Sequence, residues 1–282
     1  MGVWDFTRRG FLGRLGGAAV AALARSAPGV GAASTQPQAT SDKSERGQDM
    51  PVLRYEELLP GQFDEAIRKL PVCYVPIGSI EWHGEHLPLG VDSFRAILIL
   101  ERACEKFGGI VYPPIYSGIA GETGWDPARY AYNGNVMIPE EVFRKLIEAI
   151  VVRLKKAGFK GIILLTGHHP REQPAVLRQI AKDLSDDTCR IWGDADPALG
   201  ALYRGDHAGY GETSFMLHGR TKLVQIDLLK KRGDYGVSKD RGPDGQPGPA
   251  AAYRATAADG RKMVESAAEK IGELLKGWKL IP

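Results

Sequence analysis

The chain is poor in cysteine. Its 282 residues include only Cys73, Cys104 and Cys189, an odd number without Cys-x-x-Cys spacing. That excludes a disulfide framework and a thiolate zinc site. It leaves buried structural thiols as the expectation, with Cys73 and Cys189 in apolar, strand-like runs. Net charge is also scarce. The formal value is +3, and residues 1–33 carry four of the 37 basic residues but one of the 34 acidic ones, so the remainder is formally neutral. A neutral domain lacks the field that holds nucleic acid or an anionic membrane surface. Beyond the first fifty residues no apolar run is long enough to span a bilayer, so a soluble mature product is expected.

What the chain does have is an ordinary globular composition, 43% hydrophobic and 25% charged, and enough length for one α/β domain with a large core. Its start reads as an address. Thr7-Arg8-Arg9-Gly10-Phe11-Leu12 precedes an apolar stretch from Leu15 to Ala24, and Ala32-Ala33 offers small residues for cleavage. This grammar predicts a secretory leader over 1–33. Its paired arginines resemble a twin-arginine signal, which implies a periplasmic or otherwise exported product. Residues 34–50 are nearly devoid of apolar side chains and read as a disordered linker. The folded domain is expected over 51–282.

Within that domain, helical and strand patterns alternate. Helices are expected over 63–69, 92–107, 139–156, 173–184, 211–217 and 261–275. Strands are expected over 72–80, 110–115, 161–165, 188–192 and 222–228. Such alternation predicts an α/β layered fold with a mostly parallel central sheet. Residues 232–249 form a Gly/Pro-rich excursion that is long for a compact domain.

Histidine is the informative scarcity. Of six, five fall in three short strings that contain or flank an acid. Imidazole with carboxylate suits zinc, manganese or iron. The first string, Gly78 to Asp92 (GSIEWHGEHLPLGVD), follows a buried strand. Glu81 and His83, two apart on extended chain, face the same side, off the strand's C-terminal end where open α/β sheets bind ligands. Asp92 returns to that point at the next helix start. The second string, Leu164 to Pro170, places His168 and His169 beyond another buried strand. The third, Asp206 to Ser214, joins an Asp206-His207 pair to a helix with Glu212 in its first turn. The structural alternatives are a polar loop with Asp92 as a helix cap, and Glu212 capping beside a solvated histidine. Trp82, Tyr116 and Trp192 are candidate apolar walls of a pocket.

The strings GSIEWHGEHLPLGVD and HAGYGETS resemble signatures of the creatininase (creatinine amidohydrolase) family, with matching pieces from about Arg54 to Leu229. Gly118 to Thr123 resembles the family's middle loop, and Gly134 to Ile138 the segment before its next helix. The resemblance implies a three-layer α/β/α sandwich, two divalent ions (Zn, Mn or Fe) and a homo-oligomer, often a hexamer, acting on a small-molecule substrate. It implies metal ligands at Glu81, His83, Asp92 and His168, with Asp92 bridging, and a catalytic His207 aided by Asp206. Glu122, Trp82, Tyr116 and His169 become the candidate substrate contacts. Pro170 stands where the family has an acid or a Gly-Asn pair, so the fifth ligand is assigned to Glu212, with Glu172 second. Thr123 replaces the usual middle-loop histidine. The reaction implied is opening of a cyclic amide or lactam by a hydroxide bridging the ions. The alternatives are hydrolysis of a cyclic ketone or lactone of a sugar-like substrate, and a non-catalytic metal-binding protein.

Overall fold

The computed structural model describes residues 49–120, 134–200, 206–232 and 252–282. The expected leader over 1–33, nearly all of the expected linker, Glu122, Thr123 and the Gly/Pro-rich stretch beyond Arg232 lie outside these. Among the described residues, no helix is long and apolar enough to cross a membrane.

Four parallel strands form the central sheet in the order β2-β1-β5-β6: β1 is Val72–Ile77, β2 Ile110–Val111, β5 Gly161–Thr166 and β6 Arg190–Ala195. A separate parallel pair, β3 (Gly118–Ile119) and β4 (Met137–Ile138), lies beside it in sequence order. The helices are α1 (Pro60–Lys69), α2 (Val91–Phe107), α3 (Glu140–Lys156), α4 (Glu172–Leu184), α5 (Tyr210–Gly219), α6 (Asp227–Arg232) and α7 (Ala257–Gly277).

The layers follow from the two-residue side-chain period of the strands. Cys73, Val75 and Ile77 of β1, with Ile162 and Leu164 of β5, pack against Ala66 of α1, Phe143 and Ile147 of α3, and Leu177 and Ile180 of α4. The alternate residues Val72, Tyr74, Ile163 and Leu165 pack against Ile99 and Leu100 of α2, Phe215 of α5, and Val264 and Ile271 of α7. Every residue of β1 and β5 is buried, which is why both strands read as unbroken apolar runs rather than alternating ones. The fold is thus the expected α/β/α sandwich with a parallel sheet, and all three cysteines are free and buried.

Helix ends obey the charge rule of the macrodipole. Glu140 and Glu141 open α3, while Arg153, Lys155 and Lys156 close it. Strand ends differ more from the sequence reading. β1 stops at Ile77 rather than Ile80, its last pairings being with Thr166 of β5 and with Ile115, whose carbonyl accepts from the Gly78 amide. β2 ends at Val111 because Pro113 and Pro114 have no amide to donate to a ladder; Ile115 rejoins β1 only as a bridge to Ile77. β6 starts at Arg190, since the Asp186 carboxylate gathers the Thr188 and Cys189 amides into a turn, each at 2.9 Å. The strand expected over 222–228 is not formed. A 3-10 turn at Thr221–Leu223 leads into α6 instead. The Gln225 amide makes one bond, to the His86 carbonyl, and a single bond is no ladder.

Helices α5 and α7 pack closely. A Cβ added at Gly260 of α7 would lie 2.0 Å from the Ser214 carbonyl oxygen of α5, whereas one at Gly277 would meet nothing within 4 Å. We therefore expect G260A to force the helices apart and cost about 1–3 kcal/mol, a fall of roughly 2–12 °C in Tm, measured by thermal denaturation. G277A should be neutral or slightly stabilising.

Candidate metal centre

Strands β1 and β5 are neighbours at the centre of the sheet. From β1 the chain moves outward to β2, and from β5 to β6 on the other side. The crevice between their C-terminal ends is therefore a topological switch point, where open α/β sheets place their ligands. Glu81 and His83 follow β1, and His168 follows β5. The first turn of α2 is pressed onto the same crevice: a Cβ at Gly167 would fall 2.1 Å from the Asp92 carbonyl oxygen. Only glycine allows that approach, and it delivers the Asp92 carboxylate between the two strand ends.

Glu81, His83, Asp92, His168 and Glu212 are each at most 4% exposed. His168 Nδ1 lies 2.9 Å from Glu81 Oε2 and 3.0 Å from Asp92 Oδ2. His83 Nε2 lies 3.1 Å from Asp92 Oδ1 and 3.6 Å from Glu212 Oε2. Asp92 thus gives one oxygen to each imidazole. The outer ring nitrogens are anchored on backbone: His168 Nε2–H donates to the Ile119 carbonyl at 3.0 Å, and His83 Nδ1–H to the Glu81 carbonyl at 3.0 Å. A carbonyl only accepts, so each inward nitrogen of a neutral ring aims a lone pair at carboxylate oxygens. That arrangement is unfavourable unless a cation, either a proton or a metal ion, lies between them.

The electrostatics agree. Burial opposes charge on both rings, yet Glu81 and Asp92 push His168 up to about 10, and Asp92 and Glu212 push His83 up to about 9. Burial likewise opposes ionisation of Asp92, but the facing His83 and His168 hold it well below the usual carboxylate range. Two triplets, Glu81/Asp92/His168 and His83/Asp92/Glu212, each bring one ligand atom per residue within 4.8 Å of the others, and a third joins Glu81, His83 and His207. Among the described residues, five buried acids (Glu81, Asp92, Asp196, Asp206 and Glu212) face one buried arginine, Arg95. Burial pushes Glu212 up to about 8 and Asp196 up to about 6, and a pair of divalent ions among these carboxyls would favour their ionised forms. The donor set and its charge fit such a pair.

Several supporting residues were absent from the sequence reading. Ser79 Oγ–H donates to Asp92 Oδ2 at 2.6 Å. Gln173 donates to Thr166 Oγ1 at 2.8 Å and accepts from the Ile119 amide at 2.7 Å, fixing the carbonyl segment that orients His168. Arg95 contacts both Asp196 and Glu212. A signal for Arg95 was present, since it lies four residues from both Val91 and Ile99 on the buried face of α2.

The other candidates sort themselves by contact. His207 Nε2–H donates to the Trp82 carbonyl at 3.0 Å, and its ring centroid is 4.4 Å from that of His83. Both Asp206 carboxylate oxygens accept first-turn amides of α5, from Gly211 at 2.6 Å and Glu212 at 3.1 Å, so Asp206 caps the helix that carries Glu212. His86 bonds Thr213 Oγ1 at 3.0 Å, tying the first string to the third. His169 is half-buried, with Nε2 unpartnered among the described residues, and burial and Arg95 push it down to about 3. Glu172 belongs to none of the three candidate clusters among the described residues, and Glu212 belongs to one. Trp82 packs beside Leu87 and Val91, Tyr116 sets its ring edge-on to Phe94 at 6.4 Å, and Trp192 belongs to the core under α7. Glu122 lies outside the described residues.

Known proteins resemble this chain. A family model described as creatinine amidohydrolase matches residues 56–275. The mycofactocin precursor peptide peptidase of Mycolicibacterium smegmatis is 26% identical over 238 residues, 74% of this chain and 86% of that protein. The 3-dehydro-scyllo-inosose hydrolase of Thermotoga maritima is 27% identical over 115 residues, 40% of this chain and 35% of that protein. A crystal structure of creatinine amidohydrolase superposes with a TM-score of 0.63 at 19% identity, covering 83% of this chain and all of that one, a likeness of fold. With the family model spanning well over half its length, the chain belongs to the creatininase family.

Proposed function

We propose that this protein is a two-ion hydrolase that opens a cyclic amide or lactam. The observation that carries the reading is the division of Asp92, one oxygen toward His168 and the other toward His83, with each ring's far nitrogen locked on a carbonyl. Glu81, Asp92 and His168 would hold one ion, and His83, Asp92 and Glu212 the other. When bound, such ions polarise a substrate carbonyl and lower the pKa of water toward neutrality. His207 supplies the proton chemistry. Its Nε2–H is committed to the Trp82 carbonyl, so Nδ1 is the basic nitrogen of the neutral ring, able to take a proton and deliver it to the leaving nitrogen. Asp206 acts at one remove, by fixing the start of α5.

A second reading keeps the site and changes the bond. The Thermotoga relative is named as a hydrolase of an inosose, and a ring ketone or lactone of a sugar-like substrate presents the same electrophilic carbonyl. The mycobacterial relative is named as a peptide peptidase, so short peptides belong in the same assay. A panel of lactams, cyclic ureas, keto-lactones, inososes and peptides, run on metal-reconstituted protein, separates these. Turnover confined to the non-amide compounds would overturn the first reading.

We expect D92A and H168A to lose bound metal and activity together, measured by metal analysis of the purified protein beside the substrate panel. Full activity of metal-free wild type would overturn the mechanism. For H207N we expect bound metal to be retained and kcat to fall about 100- to 10,000-fold; loss of an ion would make His207 a ligand instead.

We also propose that residues 1–33 form a twin-arginine leader. Replacing Arg8 and Arg9 with lysine should retain the unprocessed chain in the cytoplasm, read by cell fractionation and N-terminal sequencing. Unaltered export would overturn that assignment.

A further inference from the structure

Arg95 is the one buried arginine among the described residues, with no exposed surface. It stands one helical turn after Asp92 on α2. Its guanidinium is gripped from one side by Asp196: Nε donates to Oδ2 at 3.1 Å, and Nη2 donates to Oδ1 and Oδ2, both at 2.7 Å. From the other side Nη1 donates to Glu212 Oε1. The Phe215 ring lies against it, 5.7 Å from the guanidinium carbon. A buried charge of this kind is costly to desolvate and contributes little to stability by itself. Its effect on Glu212 is specific. With Oε1 committed to Arg95, the carboxylate has one orientation, in which Oε2 accepts from the Ala208 amide at 2.5 Å and faces His83 Nε2 at 3.6 Å.

We propose that Arg95, clamped by Asp196, is a positioning residue that presents Glu212 Oε2 to the ion held with His83 and Asp92. The proposal rests on the two-ion reading above. Planarity is the reason for arginine here. A fork can satisfy two carboxylates in fixed directions, whereas a lysine ammonium cannot hold both at set angles. Second-layer contacts of this type tune metal affinity by about 10- to 100-fold. The effect falls on one ion only, because the Glu81/Asp92/His168 triplet makes no use of Glu212.

The test is a titration of the demetallated full chain with Zn(II) against a chromophoric chelator, with thermal denaturation of each variant alongside. Wild type should take two equivalents. E212Q sets the reference for a weakened second site. R95M should reproduce it, with the first equivalent unchanged and the second weakened about 10- to 100-fold. R95M strands Asp196, so R95M/D196N, which removes the charge pair together, is measured as well and should behave the same. A second equivalent bound as tightly as in wild type, or more tightly, overturns the proposal and makes the arginine a neutralising group only. Equal weakening of both equivalents also overturns it, as general damage to the site. Wild type that fails to bind two ions would remove the two-ion reading, and this proposal with it.

Discussion

The structure depends on one carboxylate placed where two strands end and a helix begins. Asp92 occupies the second position of α2, a place favourable to an acid beside unpaired amides. Gly167 lets that helix turn rest directly on the end of β5. The same contact that seats α2 on the sheet sets Asp92 between His168 and His83. Packing and chemistry are fixed by a single approach of backbone to backbone, and neither can shift without the other.

Around that point the protein tolerates a concentration of like charge unusual for an interior. Carboxylates at Glu81, Asp92 and Glu212 lie close together with both imidazoles turned toward them. Each buried anion is answered locally: Asp206 by amides of α5, Asp196 by Arg95, and Asp92 by Ser79 and the two rings. A site this negative is assembled to receive positive charge. The fold contributes the rigidity, since both strands are paired along their length and buried on both faces.

Much of this could be read from the sequence because its signals are local. The α/β class and the parallel sheet followed from helix and strand periods, the three layers from the family resemblance, and the candidate ligands Glu81, His83 and Asp92 sit within one string. Glu212 was named because Pro170 stands where an acid was expected, and it lies in one of the three candidate clusters whereas Glu172 lies in none among the described residues. What the sequence did not display were contacts made across long separations: Arg95 reaches Asp196 and Glu212 over 101 and 117 residues, and Gln173 accepts from the Ile119 amide 54 residues away. Local misreadings had local causes. Two prolines shortened β2, Asp186 delayed β6, and 222–228 forms a 3-10 turn and the start of α6 with one amide bond to the His86 carbonyl in place of a ladder. Asp206, read as the partner of its neighbour His207, also accepts two first-turn amides of α5.

The three strings that converge on the crevice come from far-apart stretches of chain, near 81–92, at 168 and at 206–214. An ion shared among them would be a cross-link closing two long loops, with the entropic weight such closures carry. Because the unfolded chain has no such convergence, occupancy and folding are linked by mass action. The free-ion concentration of the compartment then helps to set how long the chain stays folded.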